Sequence, residues 1–548
     1  LTTSGAGLLT LTGSSDYNGA TTVNGSGGLL VTNRAIVTYR GGTTLSAGQL
    51  LVNGGAKMTS GGPTTLSSGN TALAVDGQGS AFGTAAMNVA GNNGRVVAVN
   101  ITNGGHLDLT AGGMSLRTQL GTARFTIDGT GSQADMTGGL TLAAAANTGG
   151  AVTISGGGAL HTAAASTVGT AAGNAQNGTT RLLDISITGA GSNWTSSDAL
   201  LMTNGRFMLD QGGAATFTNA TFGTVSAALP ATLTVSGANS RFRTSGDLVI
   251  GSGAGTGALT LSDGGAVNVA GSLVLADVGT ATGILNTGGG EGQAAAAAGA
   301  FTAPSLALGS ATSRINFNHT DTDYIFGAAI SGAGAINQVA GDTNLTGNSA
   351  LFTGTTIVSG GALRVNGTLG SAASLVNVQS GGRLGGAGTI GGNVTIASGG
   401  TLAPGNSPGT LTIAGDLALS SGSLLDYEFG HSDVVGGPLN DLTVVGGNLT
   451  LAGTIDVTAT PGGNFDVGLY RVISYGGTLN DQGLAVGTMP ADAIVQVQTS
   501  IAHQVNLVNI AGVDVNFWDG GGAGGDGIVS GGSGIWRSGA GSDNWTLA

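Results

Sequence analysis

Two glycine-centred phrases alternate along the chain, and together they leave few folds open to it. The first is an alternating strand followed by Gly-x-(Gly/Asn)-Ser. It runs Ala74-Val75-Asp76-Gly77-Gln78-Gly79-Ser80 and returns as Thr126-Ile127-Asp128-Gly129-Thr130-Gly131-Ser132. It returns again as Ser186-Ile187-Thr188-Gly189-Ala190-Gly191-Ser192 and as Thr234-Val235-Ser236-Gly237-Ala238-Asn239-Ser240, so the steps between first glycines are 52, 60 and 48. The second phrase is a strand running into Gly-Gly, as in Val99-Asn100-Ile101-Thr102-Asn103-Gly104-Gly105 and Leu259-Thr260-Leu261-Ser262-Asp263-Gly264-Gly265. With the copies at Gly157-Gly158 and Gly212-Gly213, its steps are 53, 55 and 52. Two unrelated phrases keep one period over the same stretch, which chance does not explain.

Within each phrase the apolar residues alternate, the period of a β-strand. Glycines at fixed offsets supply corners with positive φ. A unit of this kind cannot bury its apolar face alone, so units must stack. The pattern therefore predicts an all-β chain, a right-handed parallel β-helix (β-solenoid). With two coils per repeat, a coil holds roughly 25 residues. Strands about 4.8 Å apart would then build a rod on the order of 100 Å long. Ala, Val, Leu and Ile are expected inside, with Thr, Ser and Asn outside. A β-branched residue at a Gly-Gly corner, Gly265 for example, is expected to be forced into left-handed backbone. The other reading is an array of β-sandwiches with turns every 8–12 residues. Glycine at 108 of 548 residues and aromatics at 4% weigh against it.

Composition excludes further classes. Glycine is about a fifth of the chain against a usual share of roughly 7%, but no Gly-X-Y period runs through it, so it is not collagen. Hydrophobic residues at 40% are enough for a core. Only 8% of residues are charged, with 15 Lys and Arg against 28 Asp and Glu and a net charge of −13. Lys57 is the only lysine. Nothing here resembles the basic footprint of a nucleic-acid or anionic-membrane binder. Cysteine is absent, which rules out disulfides and thiolate metal sites. No run approaches the roughly 18 apolar residues of a membrane helix. Leu1 opens no signal-peptide pattern, and both ends read as cut mid-pattern, so a fragment of a longer product is expected.

Gly399-Gly400-Thr401-Leu402-Ala403-Pro404-Gly405-Asn406-Ser407-Pro408-Gly409-Thr410-Leu411-Thr412-Ile413 closely resembles the passenger-associated transport repeat of autotransporters. Residues 4–33 resemble the autotransporter-associated β-strand repeat, through Gly5-Ala6-Gly7-Leu8-Leu9-Thr10-Leu11-Thr12-Gly13 and Tyr17-Asn18-Gly19-Ala20-Thr21-Thr22-Val23. The same pattern recurs over 331–370, with Phe352-Thr353-Gly354-Thr355-Thr356-Ile357-Val358. Residues 516–548 look like the start of a further module, carrying Trp518-Asp519-Gly520-Gly521 and Gly534-Ile535-Trp536. Residues 440–490, with Tyr470-Arg471-Val472-Ile473-Ser474-Tyr475, resemble the segment preceding the folding-nucleus end of passengers, although here another repeat follows. The resemblance implies a passenger on the surface of a Gram-negative bacterium, attached to the outer membrane or released. It also implies an N-terminal signal and a C-terminal membrane barrel in the full-length protein. The divisions expected are 1–76 (autotransporter-type coils), 77–330 (the array of ~50-residue repeats), 331–438 (associated and transport-type repeats), 439–515 (a more irregular β-helix segment) and 516–548 (a further module).

Candidate chemistry is sparse. Gly405-Asn406-Ser407-Pro408-Gly409 matches the G-x-S-x-G nucleophile elbow, which needs a helix after the serine and Asp and His downstream. Pro408 and the strand pattern that follows deny the helix, and the transport-repeat resemblance accounts for every residue of the match. Gly521-Gly522-Ala523-Gly524-Gly525-Asp526-Gly527-Ile528-Val529 matches one calcium nonapeptide, but calcium takes six or more oxygens, so a glycine-rich loop is favoured. Of the histidines 106, 161, 319, 431 and 503, His106 and His161 follow Gly-Gly turns and are expected on one face about two coils apart, too far for one metal. Acidic residues cluster at Asp321 and Asp323, and at Asp426, Glu428 and Asp433; Glu291 is the only other glutamate. Paired carboxylates in a groove would suit a β-helix glycosidase or lyase, whereas solvated loop charges suit a stalk. The sugar-stacking aromatics are few: Trp194, Trp518, Trp536 and Trp545. The reading is a non-enzymatic structural stalk or adhesin, making surface contacts or self-associating, with no catalytic residue, cofactor or metal site. The alternatives are a carbohydrate-active β-helix enzyme, or an inert scaffold for an enzyme domain outside this segment. A tight groove of converging Asp and Arg would favour the enzyme.

Overall fold

The computed structural model describes residues 1–547 except 68–69, 92–93, 119–120, 145–148, 171–182, 224–229, 513–515 and 519–544. The stretch that matches a calcium nonapeptide, read as a glycine-rich loop, falls outside the described residues, with Trp536 and most of the 516–548 module. The chain forms two compact units, Leu1–Arg314 and Ile315–Ala548.

In the first unit the described strands of successive coils pair in parallel and in register; an isolated antiparallel bridge joins Ser262 to Ala298. The longest strands form one face, where Thr71–Asp76, Val96–Thr102, Thr122–Asp128 and Gly150–Ser155 lie side by side. A second face takes His106–Leu109, Gln133–Met136 and Ala159–Thr162, and a third takes Met87–Gly91, Met114–Thr118 and Leu140–Ala144. A coil thus contributes three strands. Parallel pairing of strands one coil apart, right-handed like nearly all parallel crossovers, is a parallel β-helix. The expected fold is the one found. Over much of the array one coil takes 26 residues, as in Val96↔Thr122 or Ala231↔Gly257, so a 52-residue step is two coils; the coils from Ala151 to Asp184 and from Asp184 to Arg206 are longer and shorter in turn. The first coils are shorter: Leu8 pairs with Gly28 and Leu29 with Leu50.

Alternation aims every second side chain inward. Leu50, Leu73, Val99, Phe125, Val152, Ile185, Phe207, Leu233, Leu259 and Leu285 form one such column, each at most 1% exposed. Burying a side chain of this size stabilises by about 1.5–3 kcal/mol. Trp194 lies here too. It is fully buried, stacks with Phe207 and meets Phe217 edge-on at 5.1 Å, and its Nε1 donates to Thr162 Oγ1. It is core and unavailable to stack on a sugar.

The two phrases alternate because their corners interlock. Ser80, Ser132, Ser192 and Ser240 end the Gly-x-(Gly/Asn)-Ser corners and are at most 1% exposed. Each Oγ accepts the N–H of a glycine in the Gly-Gly corner of the preceding coil, Gly55, Gly104, Gly157 and Gly212 in turn, all at 3.0 Å. Ser132 and Ser192 also donate to the carbonyls of Asp128 and Thr188, so the buried hydroxyls are satisfied both ways. One corner type supplies the acceptor and the other the bare N–H. At the Gly264-Gly265 corner the expectation was half right. Gly264 has φ of 79°, but Gly265 is not left-handed. A Cβ at Gly265 would be driven into the Val235 carbonyl, so Gly265 is glycine for space.

The second unit stacks tighter coils. Ala335 pairs with Thr355, Thr355 with Leu375 and Leu375 with Asn393. On one face Asp342–Leu345, Gly361–Val365, Gly382–Gly386, Thr401–Pro404, Leu424–Phe429 and Thr454–Ala459 run parallel over an inner row of Thr343, Leu363, Leu384, Leu402, Leu425 and Ile455. Parallel stacking does not persist. Gly468–Tyr475 pairs parallel with Leu442–Val445 but antiparallel with Gln504–Asn509, which also pairs antiparallel with Val495–Gln498. A register shift between Arg471 and Ile473 marks the change. The antiparallel strands occupy an edge that would otherwise be an open row of donors and acceptors.

Candidate functional site

In the second unit the outward face of the parallel strands is interrupted by a cleft. Thr401–Pro404 is followed by an arm, 405–409, before the strand Thr410–Ile413 begins. Gly405, with φ of 83°, turns the arm back so that its N–H and carbonyl pair with those of Gly386. Beneath lie Gly385 and Ala403, neighbours in register. A Cβ at Gly385 would strike the Ala403 carbonyl, so this floor has to be small. The resulting cleft has a volume of about 230 Å³.

Its walls are charged. Arg364 Nε donates to Asp342 and its Nη2 to Asp323, both at 2.9 Å. Arg383 reaches the other way, Nη1 to Asp426 Oδ2 at 2.6 Å. Ser407 Oγ donates to the Glu428 carboxylate, 2.7 Å to Oε2. Asn406 is held by a side-chain exchange with Asn366. Asp441, 2% exposed, accepts the N–H of Gly409 at 2.7 Å and of Glu428 at 2.8 Å, and so ties the arm to the next strand. Burial pushes its carboxyl up to about 7, against those two N–H bonds, and the charges of Glu428 and Asp426 add to the rise.

The structure joins residues that the sequence left in separate clusters. Asp426 and Glu428 line the cleft with Asp342 and Asp441, while Asp433 turns away to accept the N–H of Leu469. Asp323 reaches the site through Arg364. Ser407 stands before a strand, and its Oγ partner is a carboxylate; no histidine lines the cleft. Sequence reasoning missed Asp342, Arg364, Arg383 and Asp441. They come from four coils, and no spacing rule connects them before the register is known.

On the first unit His106–Leu109, Gln133–Met136 and Ala159–Thr162 are successive strands, so His106 and His161 do lie two coils apart on one face. The coil between carries Asp135, which bonds His106 Nε2 at 2.6 Å and sits in register with both Asp108 and His161. Among the described residues no group of three or more His, Asp or Glu is placed to hold a metal. The longest-stranded face presents a flat polar column of Asn100, Thr126, Thr153, Ser186, Met208, Thr234 and Thr260, broken only by the methionine.

No family model matches the chain. An autotransporter adhesin of Brucella suis biovar 1 (strain 1330), BmaC, is 40% identical over 402 residues, covering 66% of this chain and 11% of that protein. The chain therefore spans about a tenth of its relative's length. A solved TibC-catalysed hyper-glycosylated fragment of TibA is 15% identical, covering 76% of this chain and all of that one, but at a TM-score of 0.20 it bears on nothing further.

Proposed function

We infer that this chain is a stretch of autotransporter passenger, a reading its 402-residue alignment supports, and that it serves at the surface of a Gram-negative bacterium as a stalk and adhesin. The alignment with a protein named as an adhesin carries the reading. The polar column from Asn100 to Thr260 supports it, because flat strands with few charges meet other surfaces through many weak hydrogen bonds. The contacts are with identical stalks on neighbouring cells, host matrix or glycans. The net charge of −13 argues against nucleic acid. Display in many copies multiplies weak contacts by avidity. The full-length protein carries the membrane barrel, and this segment does no catalysis.

The test is to display the segment on non-aggregating cells and measure settling and binding to matrix and glycan arrays. Clumping or binding supports the adhesin. Folded, abundant display with neither leaves an inert spacer.

A second reading has one observation in its favour, the convergence of Arg364, Arg383, Asp426 and Glu428 in a cleft. Glycoside hydrolysis uses two carboxyl groups across the scissile bond. Release of reducing ends from polysaccharides by the purified segment, lost in Glu428→Gln, would make the cleft an active site.

A further inference from the structure

We propose that the cleft over the Gly385–Ala403 floor is a binding site for a single uncharged hexose unit of a glycan. This rests on the adhesin reading and names one ligand for it. The first ground is shape. Ligand sites are concave and pre-formed, of roughly 300–1,000 Å³ for drug-sized molecules; a cleft of about 230 Å³ suits something smaller, the size of one sugar ring. It is rigidly built: Gly385 cannot carry a side chain, Gly405 is bridged to Gly386, and Asp441 pins Gly409.

The second ground is the chemistry of the walls. Arg364 commits Nε and Nη2 to carboxylates, and Arg383 commits Nη1, so each guanidinium is held in place with further N–H groups to offer. Asp342 and Asp426 each engage their arginine through one oxygen, and the second oxygen is an acceptor. Fixed donors thus stand beside fixed acceptors. A vicinal diol matches that alternation, because each hydroxyl both donates and accepts. The side chains of Arg364 and Asp342 are 27% and 29% exposed, so they are open to a ligand yet partly shielded from water.

The third ground is what the walls reject. No aromatic residue lines the cleft, so it offers no stacking platform. Four carboxyl groups, of Asp342, Asp426, Glu428 and Asp441, face two guanidiniums that are already ion-paired. A uronic or sialic acid, or a phosphate, would meet net negative charge. A neutral sugar leaves the ion pairs intact. Holding the polar groups in place beforehand lowers the cost of ordering them on binding.

The experiment uses the 548-residue segment and saturation-transfer NMR against neutral hexose oligosaccharides, with sialylated and uronic-acid oligosaccharides as comparison arms. Binding of a neutral hexose is expected with Kd on the order of a millimolar, as for one shallow polar site. Ala362→Leu adds bulk to the outward wall of the cleft without touching the core, and should weaken binding about tenfold or more by occupying the space of the ligand. Arg383→Gln removes a guanidinium and should weaken it several-fold, while circular dichroism shows both variants folded as the wild type. Absence of binding by every neutral hexose overturns the proposal. So does tighter binding of the acidic sugars, or binding that both variants leave unchanged. Cells displaying either variant separate the two readings. If they still clump or adhere, the adhesin reading stands without this cleft. If wild-type cells never adhere while the purified segment binds hexose, the cleft stands and the adhesin reading falls.

Discussion

The two units solve the same stacking problem with different corners. In Leu1–Arg314 the repeats from 77 to 264 hold each corner closed, with a buried serine on one coil gripping a glycine N–H on the preceding one. Along the described strands these corners leave a flat outward column from Asn100 to Thr260. In Ile315–Ala548 the coils shorten to about 20 residues, and the chain then spends its extra length in an arm after Thr401–Pro404 and a loop between Leu424–Phe429 and Leu442–Val445. The arm and loop border the small-residue floor of Gly385 and Ala403 and make a concavity. A solenoid with satisfied corners displays a surface, and one that lets a corner grow acquires a concavity.

The largest effect that would break this comparison lies in the core of the first unit. Phe207 packs against Trp194, Phe222 and Phe242 and is 1% exposed. Phe207→Ala should cost about 3–5 kcal/mol. Because coils stabilise their neighbours, hydrogen exchange should accelerate over Gly205–Asp210 and the adjoining Asp184–Thr188 and Ala231–Ser236, while Val96–Thr102 keeps its protection. Equal loss along the whole unit would mean a single cooperative globule.

A smaller effect sharpens the role of the corners. Ser132→Ala leaves the Gly104 N–H and the Asp128 carbonyl without their partner. It should cost about 1–3 kcal/mol, read as faster exchange at Gly104. The same substitution at the exposed Ser407, whose hydroxyl merely meets the half-buried Glu428 carboxylate, should change thermal stability far less. Equal losses at the two serines would remove the distinction between closed and open corners.

The smallest effect is in pH. His319 is fully buried in the second unit, with Nε2 on Thr343 Oγ1 at 2.8 Å, and burial lowers its pKa although Asp321 and Asp342 pull the other way. Its unfolded value is about 6.5. Below that the unfolded chain takes up a proton that the folded chain resists, so stability falls as pH falls, by at most about 1.4 kcal/mol per pH unit for one group. Asp441 acts oppositely: raised to about 7, it keeps its proton when folded, so its contribution declines as pH climbs from the ordinary carboxylate range toward 7. The difference between wild type and His319→Gln isolates the histidine. A difference that does not change with pH would show His319 to titrate normally.

Much of the fold was legible because it is periodic. Alternation gave the strands, the glycine phrases gave the corners, and the 52-residue step gave two coils of 26. The antiparallel strands at Val495–Gln498 and Gln504–Asn509 were not, since alternation is the same for either pairing direction. The cleft was only half visible. Asp426, Glu428 and Ser407 drew notice through local spacing. Arg364, Arg383 and Asp342 belong with them by coil register, and a one-residue change in any corner would have separated them. The serine corners were seen as a motif, but their bonding to the other phrase needed the register too.

Register is therefore the central claim, and spin-label distances test it most directly. The chain has no cysteine, so labels placed at Asn100, Ser186 and Thr260 report only themselves. The pairings put Ser186 three coils and Thr260 six coils from Asn100 in one outward column. At about 4.8 Å per coil, Asn100–Ser186 should be ~14 Å and Asn100–Thr260 ~29 Å before label length. Distances that double in this way from three coils to six confirm the stacked register. Distances that fail to grow with coil number would contradict it.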